Sequence, residues 1–395
     1  MLRNIIKSVQ LQRFNGKFAN LSLNSVRTLY SAEALGINSY EAGRSRTQSS
    51  FVSSADRFKE KMSEFCSDDS KNMVFSDDLK NMVHLAEKQD IPLVVKMLQK
   101  FVSQNSNLRF GNYVFGPVIM RMFYFFDDPD TALQVFRDPN CEGLFNQWSS
   151  YQILCDLLYK KGRYQDVLDV YDIVKKNTVD ASFPKHTIIL VLGSCYKLNT
   201  PESYKYALEL MRDMNSKGHI PMRRSVTFAA GLALAQNEPQ VALEMLLGTK
   251  QQNYITVRNM KVVAMLDLGR VEDVIPILRS ILEAPVGASM HKQTFCIDVL
   301  DRVRKEMEKV NDKELKLDYE RIDRYLREHE HVSQKSIDEL LCAEIEVQRN
   351  PPNEYNRNKT FINASFQRDS RDRYNKRPYQ QHSRQAQRPG LNEMY

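Results

Sequence analysis

The sequence predicts an all-α fold, a solenoid of helix–turn–helix repeats closed by helical caps and flanked by disordered ends. Three observations predict it. Apolar residues recur three and four apart in paired stripes, which puts each stripe on one helix face. Small residues inside every second stripe repeat at a period in the mid-thirties. The composition, 42% apolar and 27% charged, is that of a soluble protein with ample core, and it changes at both ends of the chain.

Taking the elements in order, residues 1–30 hold Arg3, Lys7, Arg13, Lys17 and Arg27, and no acid occurs before Glu33. Ile5, Ile6, Val9, Leu11 and Phe14 interleave with these cations. A basic, acid-free, amphipathic start predicts a mitochondrial transit peptide. Arg27-Thr28-Leu29-Tyr30-Ser31 resembles a matrix-peptidase site, so cleavage is expected near residue 30. Residues 31–74 read as a linker rich in Ser, Gly and Ala, followed by a charged helix over residues 56–65 that serves as an N-terminal cap. Such caps are expected because an end repeat otherwise leaves an apolar face in water.

Residues 75–280 contain about six repeats. The clearest unit spans residues 150–174. Tyr151, Leu154, Leu157 and Leu158 form one stripe, and Val167, Leu168, Val170, Tyr171 and Val174 form the next. Lys161-Gly162-Arg163 lies between them, and Gly162 suits a helix end because glycine takes a left-handed backbone freely. A lone hairpin cannot bury both stripes and needs neighbours of its own kind. Those neighbours are marked by Val95, Ala132, Val167, Ala207, Ala242 and Val274, at gaps of 37, 35, 40, 35 and 32 residues. The long gap is read as a turn lengthened by Asn199-Thr200-Pro201-Glu202-Ser203. Val95 is followed four residues later by Gln99 rather than a large apolar residue, so the register of that unit is open by one. Pro117 is expected to open the most apolar helix, since proline is tolerated in a first turn.

Residues 281–345 read as a polar closing cap, with helices over 290–304, 312–328 and 336–345 and pairs such as Glu320 with Arg324. Residues 346–395 form a basic tail. From Arg349 it holds 10 Lys and Arg against 4 acids and few aliphatics, so it is expected to be disordered. The net charge of +7 therefore belongs to the two ends, and the body between them is slightly acidic. A folded basic groove for nucleic acid is not what the body predicts. The tail is a better match, because Arg371, Arg373, Lys376 and Arg377 can neutralise phosphates while Phe361, Phe366, Tyr374 and Tyr379 can stack on bases.

Ser150-Tyr151-Gln152, then Lys161-Gly162-Arg163, then the small residue and an apolar close resemble the pentatricopeptide repeat; the Trp-Leu-Gly-Tyr pattern of tetratricopeptide repeats is missing. The resemblance implies a right-handed superhelical solenoid and a mitochondrial role in RNA maturation and respiratory-chain function. It also implies where bases would be read: by the fifth residue of each inner helix, assisted by the last residue of the unit. The fifth positions fall on Lys80, Pro117, Gln152, Ile189, Thr227 and Asn259, and the last on Asn112, Gln147, Pro184, Met222 and Tyr254. Lys80, Asn112, Gln147, Gln152, Thr227, Tyr254 and Asn259 are thus the candidates to face RNA. No unit carries the family's usual pairing of Thr or Asn with Asn, Asp or Ser, so either base reading is degenerate or the concave face binds protein. Arg223 and Arg224, at a helix start, are further phosphate candidates, although a solvated turn is the more common explanation for such a pair.

Catalysis has little support. The seven histidines are scattered, and His329 with His331 lacks the spacing of two zinc ligands on a helix. There is no Gly-rich phosphate loop and no Cys-x-x-Cys among the six cysteines. Cys155 and Cys195 lie in apolar helical patterns and read as buried thiols. No apolar run approaches the roughly 18 residues of a membrane span. The expected protein is a non-enzyme of the mitochondrial matrix with no cofactor and no metal. It binds single-stranded mitochondrial RNA, alongside processing nucleases or ribosomal proteins. The alternative is a scaffold for such proteins with no direct RNA contact.

Overall fold

The computed structural model describes residues 28–67, 70–104, 113–177, 183–282 and 293–346. Two helices come first, α1 (Ile37–Ser50) and α2 (Ala55–Phe65). Helix α1 lies where the composition predicts linker. Its surface is polar, but Ile37 and Tyr40 are buried and it packs on later helices. Tertiary anchoring, rather than propensity, fixes it.

Six helix pairs follow: α3 (Ser76–Leu85) with α4 (Ile91–Gln104), α5 (Gly116–Phe126) with α6 (Pro129–Arg137), α7 (Trp148–Lys160) with α8 (Tyr164–Asn177), α9 (Lys185–Leu198) with α10 (Pro201–Ser216), α11 (Arg223–Ala235) with α12 (Pro239–Leu247), and α13 (Ile255–Asp267) with α14 (Val274–Arg279). One backbone device makes five of the six turns. The residue after each odd helix from α5 onward, or one close behind it, has a positive φ: Asp127, Gly162, Asn199, Asn237 and Gly269. A left-handed residue there ends the helix and lets the chain fold back. In four cases the next N–H reaches the carbonyl five residues earlier, as in Arg163 to Leu158 and Arg270 to Met265, both within 3.0 Å. Two of the even helices, α6 and α10, then start on side-chain caps. The Asp128 carboxylate accepts the Thr131 N–H at 3.1 Å, and the Thr200 hydroxyl accepts that of Ser203 at 3.1 Å.

Two details of the repeat register change. Pro201, Glu202 and Ser203 form the first turn of α10, so the 40-residue gap is extra helix rather than extra loop. In α4, Val94 is buried and Val95 only partly so, which moves the marker of that unit back by one. Leu98 then takes the large apolar place four residues on, fully buried.

Each odd helix is returned by its even partner, so the odd helices run parallel. They pack on one another in sequence, α5 on α7, α7 on α9, α9 on α11 and α11 on α13, with even helices against them as a second layer. The cap contains α15 (Ile297–Lys309), α16 (Lys313–Glu328) and α17 (Ile337–Leu341), with a two-residue parallel pairing of β1 (Phe295–Cys296) and β2 (Val332–Ser333). The charge hub of the cap is Asp323 rather than Glu320: it meets Arg304 at 2.8 Å and Arg327 at 3.0 Å. Helix α17 stops at Leu341, earlier than the periodicity predicts, because Ile345 pairs as extended chain with Tyr30. Cys155 and Cys195 are buried free thiols.

Candidate nucleic-acid interface

The odd helices have one face against the even layer and one facing away. The outward face would have to be open for side chains to reach a base. In the middle units it is covered by the chain itself. Residues 29–35 cross α5, α7 and α9, and residues 337–345 cross α7, α9, α11 and α13. The Tyr30 backbone N–H donates to Asp156 of α7 at 3.1 Å, and the Tyr124 hydroxyl of α5 donates to the same carboxylate at 3.0 Å. The Tyr30 hydroxyl lies 3.1 Å from Nδ1 of His186 on α9. Ile345 donates to the Leu29 carbonyl at 2.9 Å, so the two covers are joined.

Arg224, in the first turn of α11, holds the second cover. Its guanidinium donates to the carbonyls of Leu340, Leu341 and Ala343 at 2.8, 2.7 and 2.6 Å. The last carbonyls of a helix have no partner within it, and Arg224 supplies one. Lys197 of α9 pairs with Asp338 of α17 at 3.2 Å. At Gly231 of α11, an added Cβ would come within 3.2 Å of Leu341. Burial holds the Arg224 guanidinium below its ordinary pKa and lifts the Cys342 thiol above its own.

The expected base-facing positions divide accordingly. Thr227 is 1% exposed and Asn259 is 0% exposed. The Thr227 hydroxyl donates to the Arg224 carbonyl at 3.0 Å. The Asn259 amide donates to the Ile255 carbonyl and accepts the Cys296 N–H, both at 2.8 Å. These two are structural, because their polar atoms are spent inside the chain. Ile189 and Pro117 are buried and Gln152 is partly so. Gln147 caps α7 and accepts the Ser150 hydroxyl at 3.1 Å. Of the phosphate candidates, Arg224 is committed to carbonyls. Asn112, Arg371, Arg373, Lys376 and Arg377 lie outside the described residues.

What remains accessible is a rim. Because the odd helices run parallel, their amino ends share one edge. An aromatic residue stands at most of those ends: Phe75 before α3, Tyr113 before α5, Trp148 opening α7, Phe183 before α9 and Tyr254 before α13. Trp148 and Tyr254 are each 43% exposed and Tyr113 is 38% exposed. Cations lie over three of the rings: Lys80 over Tyr113 at 4.6 Å, Lys217 over Phe183 at 5.2 Å and Arg223 over Tyr254 at 3.0 Å. Lys80 also pairs with Asp77 at 3.0 Å. Aromatic faces, cations and helix amino ends are the parts that hold single-stranded nucleic acid. Sequence periodicity missed this rim because it falls between the stripes. A signal was present in the recurrence of Phe75, Tyr113, Trp148 and Phe183 at 35 to 38 residues.

Against known proteins, the chain is 30% identical over 272 residues to the human pentatricopeptide repeat-containing protein 2, mitochondrial, covering 68% of this chain and 69% of that one. The chain belongs to the pentatricopeptide repeat-containing protein 2 family. The mouse protein of that name is likewise 30% identical over 272 residues, with 68% and 70% covered, and the Xenopus laevis protein is 28% identical over 271 residues, with the same shares. No family model matches the chain. Among the described residues no helix is long and apolar enough to cross a membrane, and no group of three or more His, Cys, Asp or Glu side chains could hold a metal ion.

Proposed function

We propose that this chain is a non-catalytic RNA-binding factor of the mitochondrial matrix, acting in RNA maturation and thereby in respiratory-chain function, and that its RNA path runs along the rim of the odd helices. The mitochondrial assignment follows from the names of the relatives. The observation that carries the rim is the set of rings at odd-helix starts, with cations over Tyr113, Phe183 and Tyr254 and with Trp148 exposed between them, beside an inner face already filled. Bases would stack on Tyr113, Trp148 and Tyr254, which is sequence-tolerant and agrees with the absence of the family's usual pairing. Lys80, Gln147, Gln152 and Asn112 remain proposed contacts, and Arg371, Arg373, Lys376 and Arg377 of the tail are proposed to add phosphate contacts. We read the six pairs as a right-handed superhelical solenoid, on the same family grounds.

A second reading, a scaffold for processing nucleases or ribosomal proteins, is favoured by Ile220 and Met222, apolar residues exposed on the same rim. Ultraviolet crosslinking of the full mature chain in mitochondria separates the two. The RNA reading expects adducts on transcripts, fewer after deletion of residues 349–395, with affinity falling steeply as salt rises. Recovery of no RNA above background would leave the scaffold.

A further inference from the structure

The carboxylate of Asp156 is wholly buried on α7, in the middle of an apolar run. Its partners among the described residues are neutral: the Tyr124 hydroxyl at 3.0 Å, the Tyr30 N–H at 3.1 Å and the Leu29 N–H. The cation nearest in sequence, Lys160, pairs with Asp127 at 3.2 Å. A buried carboxylate with only neutral donors is costly, and a cation delivered to it would relieve that cost. The backbone nitrogens it holds belong to the two residues that follow Arg27-Thr28, where the basic, acid-free leader ends.

Leu29 and Tyr30 are both buried, at 0% and 2% exposure. A cut after Tyr30 would remove both N–H donors of Asp156, the ring against His186 and the Leu29 carbonyl to which Ile345 donates. The expected cleavage near residue 30 therefore has to fall just before these residues.

We propose that an endopeptidase hydrolyses the Thr28–Leu29 bond and that the new α-ammonium of Leu29 pairs with Asp156, so that leader removal locks the terminal cover onto the inner face. Water is the only co-reactant. The C–N bond breaks, the hydroxyl goes to the Thr28 carboxyl group, which leaves with the leader, and the Leu29 nitrogen takes up protons. Asp156 then forms a buried ion pair with a group that does not exist in the precursor. The inference rests on mitochondrial import and is independent of RNA contact.

The test is the amino-terminal residue of the protein isolated from mitochondria, read by mass spectrometry, followed by melting. A start at Leu29 is expected. A start at Ser31 or beyond, or upstream of Thr28, in protein recovered from mitochondria would overturn the latch while leaving the location intact. Retention of Met1 on protein found only outside mitochondria would remove both. For the chain starting at Leu29, a free amine should melt about 3 °C or more above the same chain acetylated on that amine. The difference should vanish in Asp156→Asn. Equal melting of the free and acetylated chains, or a difference that survives Asp156→Asn, would refute the pairing.

Discussion

The odd and even helices differ in how much of their circumference is buried. In α9, residues 187–195 are buried without a break, and in α11 so are residues 225–233. In α10, by contrast, the buried positions are Ser203, Ala207, Leu210, Met211 and Met214, spaced as one stripe. An amphipathic helix has one covered side, whereas a helix buried all round must be covered on every side. The odd helices have neighbours before and after them and the even layer behind them. Their remaining side is filled by the segments around Tyr30 and α17. The difference between the layers therefore locates the covers, and it moves the accessible surface from the face of the odd helices to their amino ends.

The comparison breaks most visibly in the core of the odd layer. Phe228 of α11 is fully buried against Gly193 and Tyr196, and Phe228→Ala should cost about 3–5 kcal/mol. Glu209→Ala, on the exposed side of α10, should stay within about 0.5 kcal/mol. Denaturant melts of both variants give the contrast, and equal losses would mean that the layers are not distinct.

The next effect is electrostatic. In the chain that retains its leader, burial raises the Asp156 pKa to about 7, against the opposing effect of the Tyr124, Tyr30 and Leu29 hydrogen bonds and of Lys160. The folded state then binds a proton that the unfolded state has released above about pH 4. The Asp156 contribution to stability is accordingly fullest below that pH and falls as pH rises toward 7, by up to about 1.4 kcal/mol per unit. Asp156→Asn should flatten the slope, as should the free Leu29 amine if it pairs there. A melt series from pH 4 to 7.5 reads both.

Smaller again is the attachment of the second cover. Arg224→Ala leaves three carbonyls short of a donor and should cost about 1–3 kcal/mol, with faster amide exchange confined to α17 and its flanks. Lys197→Ala, at a partly buried pair, should cost about 1 kcal/mol. The smallest effect on stability belongs to the rim. Trp148→Ala and Tyr254→Ala should change stability by no more than about 1 kcal/mol, while each weakens RNA crosslinking as a lost stacking partner would. Unchanged crosslinking in the double variant would remove the rim as the RNA path.

Much of the repeat was legible because it is local. Ala132, Val167, Ala207, Ala242 and Val274 are all buried on their even helices, and Gly162 and Gly269 do end helices in left-handed conformations. Asp127, Asn199 and Asn237 perform the same task with less obvious residues, so those turns were harder to read. The site was legible only in part. Counting five residues into α11 or α13 finds Thr227 or Asn259, but not that each has been enclosed by residues from far along the chain. The unbroken apolar character of α9 was the available hint. Asp156 gave another, as a single acid between Cys155 and Leu157.

The hydrogen bond from Ile345 to Leu29 changes what kind of array this is. Tandem units that touch only their neighbours can open from one end while the rest stays folded. Here the segments around Tyr30 and Ile345 are hydrogen-bonded to each other over the middle of the array, so opening at either one loosens the other. Such a body should melt in one concerted step rather than fray unit by unit, and ribosomal synthesis must be nearly finished before its central helices can be sealed.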